Sequence, residues 1–129
     1  VELKIIQEGH PRKYIAGFEF KREIVDCGDV FLDFDEQVTL KTESGTEFDV
    51  TRKNFGYYAT PSLNDRLLRF QLRPVLCKNR LNKFFILLVE VGKESIFEIY
   101  RTEEKLDVVL WFDDEASLLR MLDIKNDQK

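Results

Sequence analysis

The chain has 129 residues, 43% hydrophobic and 34% charged, with a formal net charge of −4. That length sets one domain as the prior, and the apolar share excludes a disordered chain. No apolar run nears the ~20 residues of a membrane span; the longest is Phe84–Val89. The charge is uneven. Residues 19–49 carry ten acids against three bases, residues 51–83 eight bases against Asp65 alone, and residues 84–129 eleven acids against six bases. A basic block inside an acidic chain needs a counterpart, either the chain's own acidic strands or something outside it.

In chain order, the first half reads as strands. Val1, Leu3 and Ile5 alternate with Glu2 and Lys4. Tyr14, Ala16, Phe18 and Phe20 share one parity, and Val30, Leu32 and Phe34 alternate with acids. Each is the period-two pattern of a half-buried antiparallel strand. His10, the only histidine, precedes Pro11 and reads as an extended surface residue. Residues 37–52 predict a hairpin around Ser44-Gly45, with Val38 and Leu40 facing the core beside Phe48 and Val50. An odd-length loop of three or five residues keeps like characters on one face. Opposing Leu40 to Val50, Lys41 to Asp49 and Thr39 to Thr51 does this, with Gly45 as the left-handed residue.

The second half mixes helices and strands. Thr60-Pro61-Ser62, with Asp65 three residues after Ser62, predicts a helix over 61–70 with Leu63, Leu67 and Phe70 on one face. Arg73-Pro74 opens an extended segment through Val75, Leu76 and Cys77. Pro74 lacks a donor, so it belongs at a strand start or on an edge. Lys78–Lys83 reads as a polar turn. Phe84–Val89 does not alternate and predicts a central strand buried on both faces. A helix over 93–105, with Ile96, Phe97 and Tyr100 inward, then leads to a strand at Val108–Phe112. Strand, helix and strand predict a parallel pair. A last helix starts at Asp113-Asp114-Glu115, with Leu118, Leu119 and Leu122 inward, and residues 125–129 form a frayed tail.

The sequence names no chemistry. One histidine argues against a histidine-based triad or a His-rich zinc site, and no metal and no cofactor are expected. The six glycines form no phosphate-loop or dinucleotide pattern. Cys27 and Cys77, fifty residues apart, have no metal-like spacing and read as reduced thiols in the core or a strand. No signal-peptide pattern is visible, and a cytoplasmic location is expected.

The densest polar segment is 54–66. Tyr57, Tyr58, Thr60, Ser62, Asn64, Arg66 and Arg69 are the candidate ligand-binding residues, offering hydroxyls, an amide and planar cations at a helix start. Plain helix capping and surface tyrosines explain the same residues one by one. Arg66, Arg69 and Arg73, with Lys78, Arg80 and Lys83, would suit a phosphate backbone, yet the acidic chain and the absence of a nucleic-acid motif argue against that partner. Asp113-Asp114-Glu115 offers Mg²⁺ ligands, against the plainer role of acids in a helix's first turn. Asp33, Asp35 and Glu36 likewise offer a metal or acid/base pair, against the plainer reading of a solvated strand edge.

These readings predict a single α+β domain: an N-terminal antiparallel meander continuing into a mixed sheet, with about three helices on one face. Function divides three ways. The leading reading is a non-catalytic binding or interaction module for a polar or anionic small molecule or a partner protein. The others are a small enzyme without histidine catalysis, using Tyr57, Tyr58, Asp65 or the 113–115 acids on a polar metabolite or sugar derivative, and a structural homo-oligomer subunit.

Overall fold

The computed structural model describes residues 2–59 and 61–127. It is an α+β architecture of ten strands and three helices among those residues, and every strand pair is antiparallel. The strands divide among four small sheets. No described helix is long and apolar enough to cross a membrane.

β1 (Lys4–Ile6), β2 (Arg12–Ala16), β3 (Arg22–Asp26) and β4 (Asp29–Phe31) form a two-stranded ribbon. β2 pairs with β3, from Arg12 opposite Asp26 to Ala16 opposite Arg22. β1 pairs with β4, from Lys4 opposite Phe31 to Ile6 opposite Asp29. Five residues lie between β1 and β2 but only two between β3 and β4, so the outgoing side bulges by three. The expected half-burial is absent: Ile5, Tyr14, Ile15, Val30 and Phe31 are all exposed. Phe18 and Phe20, expected in a strand, lie at the ribbon's exposed tip.

β5 (Gln37–Lys41), β6 (Glu47–Lys53) and β7 (Gly56–Tyr58) form a meander. The 42–46 loop has five residues, and Gly45 has φ +102°. The register lies two residues from the expected one: Leu40 faces Phe48 and Lys41 faces Glu47. The reason is that Lys41 ion-pairs with Glu47 at 3.1 Å, while Asp49 takes a hydrogen bond from Thr39 Oγ1 at 2.8 Å. The two faces are not cleanly divided: Val38, Phe48 and Val50 are half-buried as expected, but the deepest side chain lies on the other face. Asp49 is 6% exposed and Leu40 58%. Pairing with Arg66 is what makes the burial of Asp49 tolerable.

The helix expected over 61–70 shrinks to one turn, α1 (Arg66–Arg69). Ser62 lies in the loop and Asp65 in the turn before it, and Leu67 is fully buried beneath. β8 (Leu72–Lys78) is the centre of the last sheet, flanked by β9 (Phe84–Glu90) and β10 (Asp107–Trp111). Two expectations therefore exchange places. The run at 84–89 is an edge strand with Phe84, Phe85 and Ile86 exposed, and Pro74 sits inside the central strand. The central strand tolerates Pro74 because its carbonyl accepts from the Phe112 N–H (2.9 Å), one residue past the end of β10. Its missing donor thus falls where the ladder has already stopped. β9 and β10 do run parallel, but β8 lies between them.

α2 (Glu94–Glu103) crosses from β9 to β10. Its Phe97 meets Val75, Cys77, Val89 and Leu106 in the apolar core, and its ring stands edge-on to Trp111 with centroids 5.7 Å apart. Ile96 and Tyr100, both expected inward, are exposed. In α3 (Glu115–Asp127) the expected stripe also fails, since Leu119 and Leu122 are exposed. Residues 125–127, expected as tail, are helical; the rest of that tail lies outside the described residues.

Candidate functional site

Of the seven residues singled out in 57–69, the six that the structure describes do not meet in one place. Tyr57 and Tyr58 stand exposed on edge strand β7, opposite Arg52 and Thr51. Thr60 lies outside the described residues. Ser62 Oγ accepts the Arg66 N–H at 2.8 Å, and Asn64 is exposed in the turn. Arg66 reaches Asp49 at 3.1 Å and lies over the Phe70 ring, while Arg69 reaches Asp65 at 3.3 Å. None of the six described residues lines any of the three cavities described.

Much of the basic block is thus answered within the chain. Lys53 pairs with Asp35 at 2.5 Å and Arg73 with Asp113 at 2.7 Å, in addition to the Arg66 and Arg69 pairs. The Arg73 guanidinium also stacks 4.1 Å from the Trp111 ring centroid, and its hydrogen bond to Asp113 holds its pKa above the usual arginine value. Lys78, Arg80 and Lys83 make no ion pair among the described residues.

The candidate metal acids are likewise engaged. Asp113 holds Arg73. Asp114 accepts from the Ser117 hydroxyl (2.6 Å) and the Ala116 N–H (3.2 Å), so it caps α3. The Ser117 hydrogen bond, with the Ala116 and Ser117 amides, keeps its carboxyl below the ordinary aspartate range. Glu36 Oε1 accepts the Asp33 N–H at 2.6 Å, closing the 33–36 turn. No described cavity gathers two of Tyr57, Tyr58, Asp65 and the 113–115 acids.

Two features outside the singled-out segment concentrate the unsatisfied surface. The first is a cleft of about 350 Å³ where the ribbon tip meets the C-terminal sheet, walled by Phe18, Phe85, Leu87, Tyr100 and Leu106, with Arg80 at its side. The tip is tied there by the Phe18 N–H to Glu104 (2.8 Å), Lys105 to Glu19 (2.5 Å) and an Arg22–Glu103 ion pair. The second is the free edge of β9. Pro74 turns its carbonyl toward β10, so the Pro74–Leu88 pair is not hydrogen-bonded. Leu88, and with it Ile86 and Phe84, then points its backbone N–H and C=O away from β8. Their side chains share one sheet face, where Phe84 and Ile86 are 59% and 60% exposed. The lack of alternation in 84–89 marked this strand in the sequence, but was equally compatible with a central position.

Compared with protein-family models, with curated proteins and with solved structures, the chain matches none.

Proposed function

We propose that this chain is a non-catalytic interaction module that assembles with a second copy of itself through the β9 edge. One observation carries the reading. The chain exposes 9695 Å², whereas surface scaling gives a compact monomer of 15.3 kDa about 7,100 Å². The excess, roughly 2,500 Å², is more than the ~800 Å² each partner contributes to a standard interface.

β9 is where that surface has an address. Residues 84–89 contain no charge, no proline and no bulge against β8, and so lack the usual guards of an edge strand. Antiparallel pairing of two copies about a two-fold axis at Ile86 sets Phe85 opposite the partner's Leu87 and Phe84 opposite the partner's Leu88. Identical strands paired this way keep the same face on each side of the joint, so the bare Phe84–Ile86 faces merge into one apolar surface. The cytoplasm, where Cys27 and Cys77 would stay reduced, is the compartment this reading uses.

Light scattering tests it. The wild-type chain should be a dimer across the micromolar range, and Ile86→Lys, at an exposed position, should be a folded monomer. A wild-type monomer throughout that range, or an Ile86→Lys dimer, overturns the reading.

A further inference from the structure

The bulge in the ribbon gathers three groups that no catalytic or binding hypothesis above uses. His10 is not the surface residue its sequence position suggests: its side chain is 9% exposed. The five residues between β1 and β2 loop out, the His10 N–H bonds the Gln7 carbonyl at 2.9 Å, and the ring folds back against the opposite strand. Asp26 ends β3 and Asp29 begins β4, with only Cys27-Gly28 between them. Gly28 is needed there, since a Cβ would stand 3.0 Å from the Ile6 carbonyl oxygen. The ribbon's offset register thus brings the three residues together.

The ring's hydrogen bonds define what faces the acids. Nδ1 lies 3.0 Å from the Glu8 carbonyl oxygen, which can only accept, so Nδ1 carries a proton. Nε2 is left aimed at two carboxylates, 3.7 Å from Asp26 Oδ2 and 3.7 Å from Asp29 Oδ1. That separation is too long for a hydrogen bond. Donor atoms about 2.1 Å from a tetrahedral ion stand about 3.4 Å apart, close to what is observed. All three ligand atoms lie within 4.8 Å of one another.

We propose that His10 Nε2, Asp26 and Asp29 bind one divalent transition-metal ion, which clamps the ribbon at its bulge. The surroundings match a metal-ligating histidine, whose other ring nitrogen commonly donates to a backbone carbonyl. Asp26 is oriented in turn by Arg12 at 2.8 Å and by the Gly28 N–H at 3.3 Å. Arg12 engages Oδ2, but a carboxylate oxygen has two lone pairs, so one remains for an ion. One imidazole and two carboxylates suit Zn²⁺ or Mn²⁺ rather than Ca²⁺ or Mg²⁺, which prefer all-oxygen shells. Asp29 is largely exposed, giving the ion an entry path and a position open to water.

Because His10 is the only histidine, its ring nitrogens can be followed by NMR without assignment ambiguity. The experiment uses the tag-free chain, stripped with EDTA and titrated with Zn²⁺, with Mg²⁺ in parallel. Expected are one equivalent of Zn²⁺ bound, a shift of the Nε2 resonance with Nδ1 still protonated, and no response to equimolar Mg²⁺. His10→Gln and Asp29→Asn should each weaken Zn²⁺ at least tenfold. Asp29→Asn, at an exposed position, keeps the comparison valid if His10→Gln misfolds. No stoichiometric Zn²⁺ binding, an Nε2 resonance unmoved by Zn²⁺, or an unchanged affinity in Asp29→Asn overturns the proposal.

Discussion

The N-terminal ribbon and the C-terminal sheet use the same kind of strand and reach opposite states. β1–β4 carry apolar residues at alternating positions, yet the large ones stay exposed on both faces. β8, β9 and β10 enclose Val75, Cys77 and Val89 because the crossover from β9 to β10 lays Phe97 and Leu106 over one face. Alternation specifies a strand; burial needs a second layer. The C-terminal sheet brings its own, and the ribbon is held by polar ties at its tip instead.

Truncating one residue on each side gives the largest contrast. Phe97→Ala should destabilise the fold by about 3–5 kcal/mol, the usual cost of deleting a buried ring. Ile15→Ala, at a position 62% exposed, should stay within about 0.5 kcal/mol. Urea unfolding followed by Trp111 fluorescence measures both. An Ile15→Ala cost near that of Phe97→Ala breaks the comparison, since it would mean that the ribbon is covered in solution.

A smaller and more local effect is expected at the ribbon tip. Gly17 has φ +115°, and a Cβ there would lie 2.2 Å from the Phe20 carbonyl oxygen and 3.1 Å from Glu104 Oε1. Gly17→Ala must therefore rebuild the turn that presents the Phe18 N–H to Glu104, at a strain cost of about 1–3 kcal/mol. Hydrogen exchange should speed up across β2 and β3 while β8 keeps its protection. Equal loss in β8 would mean that the tip and the core form one cooperative unit.

The same contrast explains what could be read from the sequence. Most strands and the two longer helices were legible from periodicity, because backbone geometry imposes it wherever the element ends up. The five-residue loop at 42–46 followed from matching characters across the hairpin. Its register did not, because the buried residue is Asp49, held by Arg66 from α1, and no local pattern encodes a pair 17 residues apart. Pro74 and Phe84–Val89 misled for a related reason: whether a strand is central depends on where its neighbours end. The 57–69 segment was legible as polar and capping chemistry. That its arginines meet the chain's own acids is a tertiary fact.

The finest contrast is in response to acid, and it separates the C-terminal core from its rim. The core cluster of Val75, Cys77, Val89, Phe97 and Leu106 contains no carboxylate, so mild acid leaves it untouched. Asp114 and Glu98 at the rim have carboxyls below their ordinary range, through the Ser117 hydroxyl and the Arg101 guanidinium respectively. A folded-state pKa below the unfolded one means that the unfolded chain binds the proton more readily. The stability these groups add is therefore complete above their unfolded values, about pH 4, and is lost as pH falls through the folded ones. Carboxyl NMR titration should show Asp114 with a midpoint below that of a free aspartate, and Ser117→Ala should move it upward. The Glu98 midpoint should stay put in that variant, because its partner is Arg101 on α2. An Asp114 midpoint unchanged by Ser117→Ala would leave the Ala116 and Ser117 amides as what holds that carboxyl down, and the start of α3 would then resist acid without its hydroxyl.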